Sequence, residues 1–272
     1  MGIGMRIFVI NLARSNDRRQ FMEEQLQRFG LSYEIFNAFE GAMFYDHIPV
    51  PVVPDSGNRL TVGELGCLFS HRAVWKKIAD GDDEFALVLE DDIVLSGVFS
   101  MFISEISQED SIACEFDVLK IETMNHSVVL DGKEAVRISV VDFHRLRSSH
   151  FGAGAYILSR SGAKKIFGKT SDIRLVADSI FEKYFAARIG LNVLQAVPAL
   201  AMQQHFLDAA SDTFLASVID ENADRQSRSR LKGYAKLKRE FGRLTTRLCY
   251  HLWWNFPPSF SKTIKLVVPF KH

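Results

Sequence analysis

Cysteine is scarce in this 272-residue chain. Cys67, Cys114 and Cys249 are odd in number and far apart, and no C-x-x-C occurs. That excludes a disulfide framework and a cysteine-rich zinc module, and it fits a reducing compartment. No uncharged apolar run approaches the ~18 residues that a spanning helix needs, so none is expected. The opening MGIGMRIFVINLARS lacks the long apolar core and small-residue cleavage site of a secretory leader, which makes the cytoplasm the expected compartment. Internal repeats are missing as well. Net charge is zero, with 33 Lys and Arg against 33 Asp and Glu, but only on average. From Arg225 onward 12 basic residues face Glu240 alone, so that stretch carries +11 and the rest −11. A basic end on an acidic body points to an anionic partner.

What is present is ordinary globular material, 47% hydrophobic with 22 Phe spread along the chain, enough for a sizeable core. MRIFVINL (5–12) is an apolar run too short for a helix and reads as a buried strand. In SNDRRQFMEEQLQRFG, Ser15 is placed to cap a helix. Phe21, Met22, Leu26 and Phe29 have helical spacing, and Gly30 ends it. SYEIFNAF follows as a second strand, so the chain opens β-α-β, the start of a parallel sheet. Residues 41–60, with Pro49, Pro51 and Pro54, read as a loop. Thr61 and Glu64 form a capping-box pattern that opens a helix to about Ile78. Further strands are expected at 84–89, 116–121 and 153–159, with helices near 97–108 and after Ser159.

The segment EFALVLEDDIVL concentrates the chemistry. Five apolar residues, Phe85 to Leu89, run into Glu90, Asp91 and Asp92, and apolar residues resume at Ile93. The carboxyl end of a buried strand opens on the crevice where α/β folds bind ligands. Three carboxylates there repel one another unless a cation joins them or a pKa rises. Mg²⁺ or Mn²⁺, hard ions that take oxygen ligands and share them with phosphates, suit such a cluster. Caps on a following helix are the plainer alternative, but the immediate return to IVL leaves little room for a solvated loop.

Four stretches together resemble glycosyltransferase family 25, the lipooligosaccharide galactosyltransferases and their collagen-modifying relatives. They are IFVINLARSNDRR, GELGCLFSHRAVWKKI (the pattern G-E-x-G-C-x-x-S-H-x-x-x-W), LVLEDDIVL and GAGAYILSRSGAKKI, in that order over residues 5 to about 200. The resemblance implies an α/β, GT-A-like nucleotide-sugar fold with a mostly parallel central sheet. It also implies inverting transfer of galactose from UDP-galactose, or from a related UDP-sugar, with Mn²⁺ or Mg²⁺. By the same resemblance Asp92 is the expected direct metal ligand; Glu90 or Asp91 is second or holds the ribose or a metal-bound water, and a late histidine, His205, is a candidate third ligand, with a surface histidine at a strand end as its plainer reading. Asn11, Leu12, Arg14 and Arg18 lie where base, ribose and phosphate would sit. Ser70 and His71 move toward the site, and Gly154 lets sugar approach the backbone. An inverting enzyme needs a base for the acceptor hydroxyl. Asp178, in LVADSIF after the Gly-x-Gly-Tyr-like stretch, and Asp142 are the candidates, and Asp178 is preferred.

Residues 1–221 are therefore expected to form the catalytic domain and residues 222–272 a basic helical tail. Leu231, Tyr234, Leu237, Phe241, Leu244, Leu248 and Leu252 make one helical stripe among the basic residues, followed by aromatics. A cationic amphipathic helix with Trp at its end reads as a contact with an anionic membrane surface. The expected protein is a cytoplasmic transferase, peripheral on the inner face of the cell membrane, extending an oligosaccharide or lipid-linked glycan acceptor such as lipooligosaccharide. No nucleic acid partner is expected, and a homodimer is compatible. The alternatives are a family transferase using another nucleotide sugar and a non-catalytic scaffold of the same fold at the membrane.

Overall fold

The structure is a computed structural model and describes residues 5–47, 60–108, 116–170, 176–207 and 262–272. The first strand, β1 (Arg6–Asn11), is followed by α1 (Asn16–Arg28) and β2 (Glu34–Asn37), and β1 pairs β2 in parallel, the β-α-β opening expected from the sequence. A short α2 (Ala42–Tyr45) precedes α3 (Val62–Asp80). The capping box forms with both bonds: Glu64 N–H donates to Thr61 Oγ1 at 3.2 Å, and Thr61 N–H to Glu64 Oε2 at 2.8 Å. Ser15 flanks α1 without a side-chain cap bond. The run of alternating elements continues through β3 (Phe85–Glu90), β4 (Ile93–Leu95), α4 (Phe99–Ile106), β5 (Val118–Lys120) and β6 (Glu122–Thr123). Then come β7 (Ser127–Asp131), β8 (Val136–Ile138), β9 (Val141–Arg145), β10 (Ala155–Ser159) and α5 (Arg160–Lys169). A 3-10 turn (Ala177–Phe181) leads to α6 (Lys183–Ile189), β11 (Val193–Val197), β12 (Ala201–Gln203), α7 (Gln204–Leu207) and finally β13 (Thr263–Val267).

The main sheet has eight strands in the order β2-β1-β3-β10-β5-β11-β9-β8. Strands β10 and β9 run against the other six. The sheet is thus mostly of one direction, yet mixed in its pairing, because β10 inserts between β3 and β5. Alternate residues of each central strand serve opposite faces, as the period of two requires. Phe8, Ile10, Ala86 and Val88 pack with α3, α5 and α6; Ile7, Val9, Leu87 and Leu89 pack with α1 and α4. The result is a helix–sheet–helix sandwich with two apolar cores.

A second sheet, β4-β12-β6, begins where β3 ends. Asp91 and Asp92 are the two-residue turn by which the chain leaves one sheet and enters the other. Gln25 of α1 pins the new strand, donating to Ile93 O at 2.9 Å and accepting from Leu95 N at 2.9 Å.

Residues 208–261, which hold most of the expected basic helical tail, lie outside the described residues. The end of that segment is not helical. Residues 263–267 form β13, which pairs antiparallel with β7. Val268 is fully buried in the core, and Thr123 Oγ1 donates to its carbonyl at 2.8 Å. Residues of the last segment thus find a strand edge and a core position on the body instead of a helix. The proline-bearing loop falls largely at 48–59, outside the described residues. Among the described residues no helix is long and apolar enough to cross a membrane.

Candidate active site

Strands β1, β2 and β3 run in parallel, so their carboxyl ends emerge together, and the antiparallel β10 enters at the same edge. A cleft of about 200 Å³ opens there between these ends and α3. Leu12, Arg14, Arg18, Ser70, His71, Glu90, Asp91 and Asp92 all line it, as do Phe39, Glu40, Cys67 and Gln203.

The acids are held by residues distant in sequence. Asn11, at the buried end of β1, donates Nδ2–H to Asp91 Oδ2 at 2.8 Å. Arg18, on the first turn of α1, spans the two aspartates, 2.9 Å from Asp91 Oδ1 and 3.3 Å from Asp92 Oδ2. Burial raises the Asp91 carboxyl against the pull of Arg18. Asp92 is pushed up to about 7, first by burial and then by Glu90, with Arg18 opposing. Its Oδ1 is buried and has no hydrogen-bond partner. A bare buried carboxylate oxygen among other acids is costly unless a proton or a cation occupies it.

Glu90 is treated differently. Burial is the strongest single influence and pushes its carboxyl up, but the hydrogen bond and charge of His71, the Cys67 thiol and Arg18 together overcome it, and the net shift is downward. His71 Nε2 lies 3.0 Å from Glu90 Oε1, and Nδ1 lies 2.9 Å from Tyr156 Oη. Trp75 Nε1–H donates to the same tyrosine oxygen at 2.7 Å. An indole can only donate, so the tyrosine's own proton is free for Nδ1 and the Nε2 proton is directed to Glu90. The one-face spacing of His71 and Trp75 along α3 is what lets both reach Tyr156 on β10. Burial, reinforced by Glu90, raises the Cys67 thiol well above its ordinary value, and it is 3.6 Å from Glu90 Oε1. Cys67, His71 and Glu90 each offer a ligand atom within 4.8 Å of the others.

The residues expected from the sequence divide. Ser70 lines the cleft, but its hydroxyl is occupied in the scaffold, donating to Gly66 O at 2.7 Å and accepting from Phe39 N at 2.9 Å. That bond and the close approach at Gly66, where a Cβ would sit 2.6 Å from Phe39 O, hold the 39–41 segment against α3. Arg14 pairs with Glu40 at 2.7 Å on the rim. Gly154 meets the site through its backbone: its carbonyl accepts from Glu90 N at 2.8 Å and its N–H donates to Glu122 Oε2 at 3.0 Å. His205 is on α7, half-buried against the Phe206 ring at 3.9 Å, and is not among the residues lining the cleft; Gln203 is. Asp178 stands outside the cleft, accepting from Gly152 N at 3.2 Å. Asp142 is on β9 toward the far edge of the sheet, ion-paired with Arg137.

Sequence reasoning missed Lys120 and Glu122. They alternate along one strand direction, both fully buried and 2.9 Å apart. Lys120 Nζ also donates to Gly152 O at 2.6 Å and lies 4.2 Å from the centre of the Phe181 ring. The signal was available, since a Lys and a Glu in FDVLKIET break an otherwise apolar strand, but no partner was visible.

The profile of glycosyltransferase family 25 (LPS biosynthesis protein) matches residues 5–181. The lacto-N-neotetraose biosynthesis glycosyltransferase LgtE of Neisseria meningitidis serogroup B is 25% identical over 254 residues, covering 88% of this chain and 90% of its own. The lipooligosaccharide biosynthesis protein lex-1 of Haemophilus influenzae is 25% identical over 272 residues, covering 87% of each chain. Procollagen galactosyltransferase 1 of Danio rerio is 31% identical over 171 residues, 59% of this chain and 28% of its own.

Proposed function

The chain belongs to glycosyltransferase family 25 and is a glycosyltransferase, and on that premise we propose that it moves galactose from UDP-galactose, with inversion, onto a hydroxyl of a lipooligosaccharide or related glycan. The observation that carries this reading is Asp92: a buried, unpartnered carboxylate oxygen at the mouth of a cleft, beside two further acids. A carboxylate-rich donor set with surplus negative charge fits Mg²⁺ or Mn²⁺. Asp92 would be the direct ligand and Asp91 or Glu90 the second, with His205 a further candidate. When bound, the cation would neutralise charge growing on the leaving diphosphate.

The chain's own groups have separate tasks in this reading. Asn11 and Arg18 orient Asp91. His71 and Cys67 keep Glu90 ionised and aimed. Leu12, Phe39 and Gly41, with Arg14 at the rim, form the wall for a nucleoside. Asp178 is the proposed base for the acceptor hydroxyl; its carboxylate accepts from Gly152 N. A GT-A-like nucleotide-sugar fold is part of this reading, and the position of the cleft at the carboxyl ends of parallel strands supports it. The basic stretch from Arg225 would bring the enzyme to the inner face of the membrane, where lipid-linked acceptors lie; retention on anionic vesicles that is lost at high salt tests it.

The decisive experiment is a nucleotide-sugar screen that scores UDP release and glycoside formation. UDP-galactose should be the best donor, EDTA should stop the reaction, and Mn²⁺ or Mg²⁺ should restore it. Full activity in EDTA removes the metal from the reading, and preference for another sugar nucleotide replaces galactose.

A further inference from the structure

We propose that Phe151, with His126 beside it, is a platform for the C–H face of the acceptor pyranose; the proposal rests on the transferase reading above and locates its second substrate. Phe151 is 59% exposed. An exposed aromatic ring is informative when the backbone beneath it is rigid, because the chain could otherwise bury it. Here the segment is braced at alternate residues. His150 N donates to Phe181 O at 3.0 Å, Gly152 N to Asp178 Oδ2 at 3.2 Å, and Gly154 N to Glu122 Oε2 at 3.0 Å. Lys120 holds the Gly152 carbonyl at 2.6 Å.

His126 meets Phe151 edge to face, with centroids 6.2 Å apart at 79°. It rides on its own braced turn, in which Asn125 adopts a left-handed φ of 53° and Thr123 Oγ1 is tied to Val268 O at 2.8 Å. Two aromatic rings are thus presented together on two fixed supports.

The position suits an acceptor. The cleft lies over the ends of β2, β1 and β3, whereas Phe151 leads into β10, on the other side of Glu90 in the strand order. Phe151 is three positions before Gly154, whose carbonyl binds Glu90 N, so the Cα atoms of Phe151 and Gly154 are within about 11 Å. An inverting attack comes from the side away from the diphosphate, and Phe151 and Asp178 stand together at the β10 edge, joined through Gly152 N–H to Asp178 Oδ2.

The chemistry also suits a pyranose. One face of such a ring presents C–H groups and its rim presents hydroxyls. A flat aromatic ring covers the former, while exposed Asn125 and Ser127 flank His126 for the latter.

The test is saturation-transfer NMR on the full chain with methyl β-galactoside, methyl β-glucoside and methyl N-acetyl-β-glucosaminide, followed by kinetics with whichever serves as acceptor. Ring C–H protons of at least one glycoside should receive magnetisation, Phe151→Ala should abolish it, and Phe151→Trp should restore it. In transfer, Phe151→Ala should raise the acceptor KM by about tenfold and move kcat by less than about threefold. Transfer to none of the glycosides, or equal transfer in Phe151→Ala, overturns the platform. The NMR arm needs no donor, so a wild-type protein that binds glycosides through Phe151 yet transfers from no nucleotide sugar would overturn the galactosyl-transfer reading instead.

Discussion

Both flanks of the carboxylate cluster place a cation beside acids, and they differ in whether solvent and substrate can reach them. On the β1 side Arg18 spans Asp91 and Asp92, all three side chains 10–14% exposed and facing the cleft. On the β5 side Lys120 and Glu122 are sealed at 0%. The open group leaves Asp92 Oδ1 without a hydrogen-bond partner. The sealed pair commits Lys120 Nζ and Glu122 Oε2 to the backbone of residues 152 and 154; Glu122 Oε1 is buried without a hydrogen-bond partner, and burial keeps the Glu122 carboxyl raised in spite of Lys120. The same charge chemistry faces a cleft where water has access and positions a chain segment where it has none.

The comparison breaks most visibly at Lys120. Removing one partner of a sealed pair leaves an unpaired buried charge, so Lys120→Met should cost about 3–5 kcal/mol of stability. The double variant Lys120→Met/Glu122→Gln should recover at least half of that, read from denaturant midpoints. Unchanged stability with lost transfer would move the pair from scaffold to chemistry. Asp92→Asn should do the reverse. It removes a charge the fold tolerates poorly, so the melting temperature should hold or rise while transfer falls at least about a hundredfold. Turnover near wild type would take Asp92 out of the site.

The smallest effect sharpens the sealed side. His150 donates Nδ1–H to Phe151 O at 2.8 Å, and its Nε2 is buried without a hydrogen-bond partner. Burial first, then the charges of Lys120 and His126, hold its pKa down to about 3. The unfolded chain takes up that proton near pH 6.5, before the folded one does. Stability is therefore full above about pH 6.5 and declines as pH falls toward 3, by at most about 1.4 kcal/mol per pH unit from this group. Denaturation at pH 7, 5.5 and 4.5 should show a shallower decline in His150→Asn.

Local signals in the chain were strong where they were short-range. The capping box at Thr61 and Glu64 depends on a spacing of three, and it forms as read. The acidic stretch after an apolar strand is legible because a strand buried on both faces tolerates no charge until it ends. His205 shows the limit. Its place after a strand is as read, but whether the imidazole meets the acids depends on how β12 lies against β4. There Gln204 N binds the Asp92 carbonyl at 2.9 Å, while Gln203 faces the cleft.

The sequence by itself determined that three carboxylates would stand at the end of a buried strand, and that a capped helix would carry Cys67, His71 and Trp75. Only the tertiary structure decided which acid is satisfied and which is left open. Asn11 reaches Asp91 across 80 residues, His71 and Tyr156 meet across 85, and Lys120 finds the carbonyl of Gly152. Those pairings follow from strand order and from the antiparallel entry of β10. A hydrogen bond between distant side chains exists only once backbone packing has brought them within about 3 Å of each other.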